Sequence, residues 1–211
     1  MTDNRKSGIA LIGGSAGAIL TMAVHPTATG IVTRPGYERL ALVSGAAHSV
    51  GIVSFAILFL GACGLALRLR APDRLAFAGL VTYGIALIAA LIAAAISGFI
   101  EPNIMLRMAR DVPAAASQWH IVIDSIFQIN QAFMRIFTIA VSAAVVLWSI
   151  SILRNGGLGR GIAIYGCVMA PLLILGIFIG HLRMDVHGAG LIVLAQTVWL
   201  VGAGAQLCRG E

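Results

Sequence analysis

Charged residues are scarce in this chain of 211 residues, in which only 10% are Asp, Glu, Lys or Arg and 59% are hydrophobic. Soluble domains carry about 25% charged residues, so the composition excludes an ordinary soluble globule. A disordered chain is also excluded, because disorder requires low hydrophobicity and high polarity. Since one membrane-crossing helix needs about 20 apolar residues, the apolar content suffices for about six such helices.

Cysteine and the familiar catalytic motifs are lacking as well. The three cysteines, Cys63, Cys167 and Cys208, form no CxxC pair and lie in apolar runs, so they predict neither a disulfide framework nor a zinc finger. The sequence contains no nucleotide-binding loop, no HExxH motif and no nucleophile elbow. The net charge of +6 sits between the apolar runs, which favours an explanation by membrane topology over nucleic-acid binding.

The apolar runs predict an all-α fold, namely a polytopic integral membrane protein built as a six-transmembrane-helix bundle. Residues 1–211 form one transmembrane domain, with spans at approximately 8–25, 41–67, 76–100, 119–153, 161–181 and 187–208. The links on one side carry eight basic residues and those on the other side five, so the positive-inside rule predicts that both termini are cytoplasmic.

The source and the partners follow from the same composition. Arginine accounts for 13 of the 14 basic residues, and Ala and Gly are abundant, which favours a bacterial chain and the bacterial inner membrane as its location. We therefore expect the lipid bilayer as its partner, with other membrane subunits or a second copy as further candidates, and no nucleic acid.

The histidines carry the main functional signal, because all five fall toward the predicted periplasmic side. About 20 residues cross the roughly 30 Å apolar layer. Counting that many residues outward from the charges on the cytoplasmic side reaches His25, His48, His181 and His187. The same count places His120 farther out from the apolar layer. These histidines are therefore expected at one level of the bundle.

The hairpin HLRMDVH places His181, Asp185 and His187 within seven residues. Two imidazoles and a carboxylate are a reasonable half of a metal site. We predict a site for zinc, iron or copper with His25, His48, His181 and His187 as ligands. Asp185 and His120 are further candidates for ligands. The alternative is that the histidines only occupy a wet membrane interface.

A polar stripe follows one face of the fourth predicted span, at helical spacing. Its members are His120, Asp124, Gln128, Gln131, Arg135, Thr138 and Ser142. Lipid cannot solvate such a stripe, so it should face the bundle interior or a wet cavity. We expect Gln128, Gln131, Thr138 and Ser142 to line this cavity, unless the stripe is only a hydrogen-bonded seam between helices.

Three charged residues are candidates for catalysis. Asp124 and Glu101 are each expected to act as a general base, a further metal ligand or an orienting group. Arg135 would hold an anionic group of a substrate or lipid.

The pattern Glu38-x5-Ser44-x3-His48 resembles the second-helix pattern of the alkaline ceramidase and adiponectin-receptor superfamily of intramembrane zinc hydrolases. That family carries an HxxxH pair in its last helix and has seven spans. This chain instead has His181-x3-Asp185-x-His187 and six predicted spans.

Three functions remain open at this point, and the sequence does not decide whether the chain is an enzyme. The first is a histidine-rich metal site at the periplasmic end of the bundle, which would suit a membrane-embedded metalloenzyme. The second is a haem b-binding electron-transfer subunit, with two facing imidazoles as axial ligands. The third needs no metal: the polar stripe would be a solute or proton path, or the protein an assembly partner.

Overall fold

A computed structural model describes residues 3–26, 33–69, 74–110, 116–182 and 186–210. Its helices are α1 (Asp3–Ala23), α2 (Arg34–Leu69), α3 (Arg74–Ala95), a π-helix (Ile96–Ile100), α4 (Glu101–Met108), α5 (Ala116–Asn155), α6 (Arg160–Phe178) and α7 (Val186–Arg209). Six helical segments are long and apolar enough to cross a membrane, with α3, the π-helix and α4 forming one of them. The predicted all-α bundle with six such helices is confirmed.

The two ends of the bundle differ. The Sγ atom of Cys208 in α7 lies 3.7 Å from the carbonyl oxygen of Arg5 in α1, so the start of α1 and the end of α7 lie at the same end of the bundle. We call the opposite end, where α1 ends and α7 begins, the histidine end, because His25 and His48 lie there.

Three of the six segments are much longer than the others. The helix α2 has 36 residues, the segment Arg74–Met108 has 35 and α5 has 40. At 1.5 Å per residue they extend over about 52–60 Å, whereas the 19 to 24 residues of α1, α6 and α7 extend over about 29–36 Å. Thr21, near the end of α1, bonds to the carbonyl oxygen of Ala47, so α2 continues past α1 at the histidine end.

Stacked aromatic side chains hold the interior of the bundle together. The rings of Trp148 and Trp199 stack at 5.7 Å, and Tyr83 lies 5.4 Å from Trp148. Both indole N–H groups are satisfied, one by the carbonyl oxygen of Ala76 at 3.1 Å and the other by Ser149 Oγ at 3.2 Å. Since buried Trp needs a partner for its N–H group, this cluster fixes α3, α5 and α7 relative to one another.

Glycine allows α1 to pack closely between α2 and α7. A Cβ atom on Gly61 would lie 2.8 Å from the backbone nitrogen of Leu11, and one on Gly204 would lie 2.8 Å from the carbonyl oxygen of Gly8. Small residues permit such backbone approach, which drives helix association in lipid through van der Waals contact. The position of α1 therefore depends on residues without side chains.

Two adjacent glycines of α1 provide a matched test of this packing. A Cβ atom on Gly14 would lie 3.0 Å from the backbone nitrogen of Leu58 and from the carbonyl oxygen of Ser54, whereas one on Gly13 would meet nothing within 4 Å. Gly14→Ala should destabilise the bundle by about 1–3 kcal/mol through overpacking. Gly13→Ala should be neutral or slightly stabilising, because Ala is the better helix former. Thermal unfolding in mild detergent distinguishes the two, and equal melting temperatures would contradict this packing.

Candidate functional site

A cavity of about 380 Å³ lies between α1, α2, α3, α5 and α7. Its polar lining residues are Thr21, His25, His48, Tyr83, Ser97, Glu101, Asn130, Gln131, Gln196 and Thr197. The apolar ones include Met22, Phe55, Leu58, Leu87, Phe127, Met134, Phe137, Val141, Val193 and Leu200. Alanines at positions 90, 93 and 94 form part of the wall on α3, and their small side chains leave the space open.

The cavity is polar at one end and mainly apolar at the other. On α2 the lining runs from His48 to Leu58, and on α5 it runs from Phe127 to Val141. At 1.5 Å per residue, these ranges correspond to a cavity depth of roughly 15–21 Å along the bundle. The imidazoles and the carboxylate of Glu101 therefore lie toward the histidine end, above a floor made mostly of Leu, Val and Phe side chains.

Two imidazoles meet at the polar end. The rings of His25 and His48 lie 4.9 Å apart, edge to face at 75°. The Nδ1–H of His25 donates to the carbonyl oxygen of Pro26 at 3.0 Å, and that of His48 donates to the carbonyl oxygen of Ser44 at 2.8 Å. A carbonyl oxygen only accepts, so each ring carries its proton on Nδ1 and keeps a lone pair on Nε2.

The charge state of His25 suits this arrangement. Burial lowers the pKa of His25 below its ordinary value, and the hydrogen bond to Pro26 opposes that shift only in part. The neutral imidazole is therefore favoured at neutral pH.

The π-helix brings α3 against the imidazole of His48. A Cβ atom on Gly98 would lie 2.6 Å from the Cβ atom of His48, so a side chain at position 98 has no room. The hydroxyl of Ser44 donates to the carbonyl oxygen of Ser97 at 2.9 Å, and Asn130 donates to Ser97 Oγ at 2.8 Å. The π-helix thus joins α2 and α5 at the cavity, as π-turns often do at functional sites.

Asn130 has an unused acceptor. Its Oδ1 atom is buried and has no hydrogen-bond partner among the described residues. Leaving a buried acceptor unpaired costs about 1–3 kcal/mol. Asn130 lines the cavity through other atoms, because this oxygen has almost no accessible surface and lies against packed protein.

The structure places the predicted metal ligands in different positions. His25 and His48 lie together, and Glu101 lines the same cavity. His181 is exposed, follows α6 and does not line the cavity, and His120 is exposed on α5. Asp185 and the side chain of His187 lie outside the described residues. Within the described ranges, no group of three or more His, Cys, Asp or Glu side chains could hold a metal ion.

The polar stripe divides along α5. Gln131 lines the cavity, and Thr138 and Ser142 are buried. The Nε2 atom of Gln196 donates to the carbonyl oxygen of Thr138 and to Ser142 Oγ, both at 3.3 Å. This part of the stripe is thus a hydrogen-bonded seam between α5 and α7.

The remaining members of the stripe are exposed and do not line the cavity. They are His120, Asp124, Gln128 and Arg135. The part of α5 beside α7 ends near Gln128, because α7 begins at Val186, ten residues before Gln196. His120 and Asp124 therefore lie beyond α7, whereas Arg135 is exposed within that part of α5. Of the three candidates for catalysis, Glu101 alone lines the cavity. The stripe therefore does not form one continuous internal path along the described part of α5.

Two residues of the site were not predicted as such from the sequence. Asn130 adjoins Gln131 and Gln196 adjoins Thr197 within otherwise apolar runs, and a polar pair inside a predicted span is the signal that could have identified them. Comparisons with family models, with curated proteins and with solved structures find no match to this chain. Its function is therefore inferred from the cavity itself.

The contact between Gly98 and His48 can be tested by spectroscopy. In ¹⁵N-histidine NMR spectra of the solubilised protein, His25 and His48 should both show the tautomer protonated on Nδ1. Gly98→Ala should displace the ring of His48 and remove that pattern for His48. Gly84→Ala is the matched control, because its Cβ atom would make only an ordinary contact of 3.5 Å with Phe59. An unchanged His48 signal in Gly98→Ala would contradict the close contact.

Proposed function

We propose that the chain is a multi-pass protein of the bacterial inner membrane that binds a small amphiphilic molecule in its cavity. Both termini would be cytoplasmic, in line with the eight basic residues on that side against five on the other. The histidine end would then lie at the periplasmic surface, and the cavity would begin there and extend into the apolar layer.

One observation supports this proposal above all, namely the separation of polar and apolar lining within a single cavity. Its volume of about 380 Å³ lies within the range of about 300–1,000 Å³ that is usual for small-molecule sites. A hydrocarbon chain would lie against Leu58, Leu87 and Val141. The head group would meet His25 and His48.

A cavity-filling substitution tests this function. The full chain in phosphatidylcholine nanodiscs would be labelled with hexadecanol that carries a photoreactive diazirine on its chain. Labelling should be saturable and should map to peptides of the cavity helices. Ala90→Phe should reduce labelling at least tenfold, because Ala90 is 4% exposed and lines the cavity at mid-depth.

Ile88→Phe on the same helix is the matched control, because Ile88 is 62% exposed and a larger ring there leaves the cavity unchanged. Both variants should keep the helical circular dichroism of the parent chain. Equal labelling of Ala90→Phe and Ile88→Phe would refute the proposal.

We further propose a transition-metal ion as a second candidate ligand, held by the Nε2 atoms of His25 and His48. Bonding of Nδ1–H to a backbone carbonyl is the usual arrangement of a metal-ligating histidine, because it fixes the tautomer and orients the ring. Glu101 lines the same cavity, but among the described residues it does not complete a three-ligand group with the two imidazoles. With further positions open to water or substrate, such a site would suit a metalloenzyme.

Zinc, copper and iron are the candidate ions, because imidazole nitrogen is a ligand for all three. Haem b is the alternative for the same two imidazoles. The contact between the two rings at 4.9 Å supports both candidates, because it places the imidazoles on one side of the cavity.

Metal analysis tests this second candidate. After equilibration with zinc and dialysis, the purified chain should hold about one metal ion per polypeptide. His25→Gln and His48→Gln should each reduce the bound metal at least tenfold. The exposed histidines provide the controls, since His120→Gln and His181→Gln should retain the metal. The His25–His48 site would be excluded if the parent chain held negligible metal, or if the metal were lost in His120→Gln or His181→Gln. A Soret absorption band would identify haem instead.

A further inference from the structure

The polar groups that remain available at the histidine end of the cavity are hydrogen-bond acceptors. His25 and His48 each use Nδ1–H on a backbone carbonyl oxygen and present Nε2. Asn130 donates through its amide nitrogen to Ser97 Oγ, while its Oδ1 is buried and has no partner among the described residues. The acceptors that a ligand can meet at the polar end are therefore the two imidazole Nε2 atoms, because Asn130 Oδ1 has almost no accessible surface.

The π-helix connects the elements that carry the polar groups at this end of the cavity. Gly98 lies against His48, Ser97 bonds to Asn130, and the ring of His25 lies 4.9 Å from that of His48. Glu101 follows Ser97 by about one helical turn and lines the same cavity. The arrangement offers several acceptors to one head group.

The charge at the polar end has one sign. Among the described residues that line the cavity, Glu101 is the only one with a formal charge. The closest arginine along α5, Arg135, is exposed and does not line the cavity. The cavity wall therefore supplies no guanidinium or ammonium group that could neutralise an anionic ligand.

Three of the donors that line the cavity, those of Thr21, Thr197 and Gln196, are already used within the bundle. The hydroxyl of Thr21 donates to the carbonyl oxygens of Gly17 and Ala47, and that of Thr197 donates to Leu194. The amide nitrogen of Gln196 donates to α5, as described above. An anionic head group would find few partners here, and burying a charge without partners is costly.

We propose that the cavity selects single-chain amphiphiles with an amine head group over those with an anionic head group. A protonated amine carries three N–H donors, two of which match His25 Nε2 and His48 Nε2, and Glu101 balances its charge. A carboxylate or phosphate head would instead face lone pairs and a like charge. This inference rests on the proposed function of the cavity and specifies its ligand.

Three probes that differ only in their head group test the inference. Hexadecyl chains with one diazirine would carry an amine, an alcohol or a carboxylate, in phosphatidylcholine nanodiscs that hold the full chain. At about pH 8 the amine is protonated and the carboxylate is ionised. The mole fraction that gives half-saturation of labelling, corrected with empty nanodiscs, should be at least tenfold lower for the amine than for the carboxylate. The alcohol should fall between them.

A pair of carboxylate substitutions shows whether Glu101 provides the counter-charge. Glu101→Gln should weaken labelling by the amine about tenfold and should weaken labelling by the alcohol much less, because the substitution removes only the charge. Asp124→Asn is the matched control, because Asp124 is exposed and lies outside the cavity lining. Its preference for the amine should equal that of the parent chain.

The outcomes separate this inference from the function on which it rests. Saturable labelling of the cavity helices with equal or better binding of the carboxylate would overturn the amine selectivity and leave the amphiphile cavity intact. An amine preference that Glu101→Gln leaves intact would also overturn the inference, because the recognition would then lie elsewhere. Failure of all three probes to label the cavity helices would refute the proposed function itself.

Discussion

In an apolar interior each hydrogen-bond donor must find an acceptor within the protein, and this requirement determines what the cavity presents. The Nδ1–H groups of His25 and His48 bond to backbone carbonyls, and the amide nitrogens of Asn130 and Gln196 bond to neighbouring helices. Acceptor atoms remain unused because a neutral imidazole ring and a side-chain amide each carry both a donor and an acceptor. The chemical character of the cavity thus follows from how the helices satisfy their own donors.

The π-helix is the local distortion that makes this arrangement possible. It lies between α3 and α4 in a segment that is otherwise continuous α-helix. There it provides a hydroxyl and a carbonyl at Ser97 and a position without a side chain at Gly98. A regular side chain at position 98 would push His48 away, and the link from Ser44 through Ser97 to Asn130 would open. The site therefore depends on five residues in the middle of otherwise uniform hydrophobic sequence.

The sequence allowed the helices to be predicted well, because apolar runs bounded by charged links leave little choice in a membrane. It also placed His25 and His48 at one level, because depth is a simple count of residues. It could not place His181, since a count gives the level of a residue but not its direction around the bundle. The polar stripe on α5 shows the same limit: spacing identified its face, but only the position of α7 decides that Ser142 is covered while Asp124 is not. Asn130 and Gln196 matter through their partners on other helices, which the sequence does not specify.

The cavity has a consequence for the lifetime of the protein. Side chains around an empty space of about 380 Å³ lack contact partners on one side, so the empty bundle is less stable than one with a ligand in that space. Binding and folding are then thermodynamically linked, because any molecule that binds only the native state raises its stability in proportion to occupancy. The supply of ligand in the surrounding bilayer would thus help to set how long each folded copy escapes degradation.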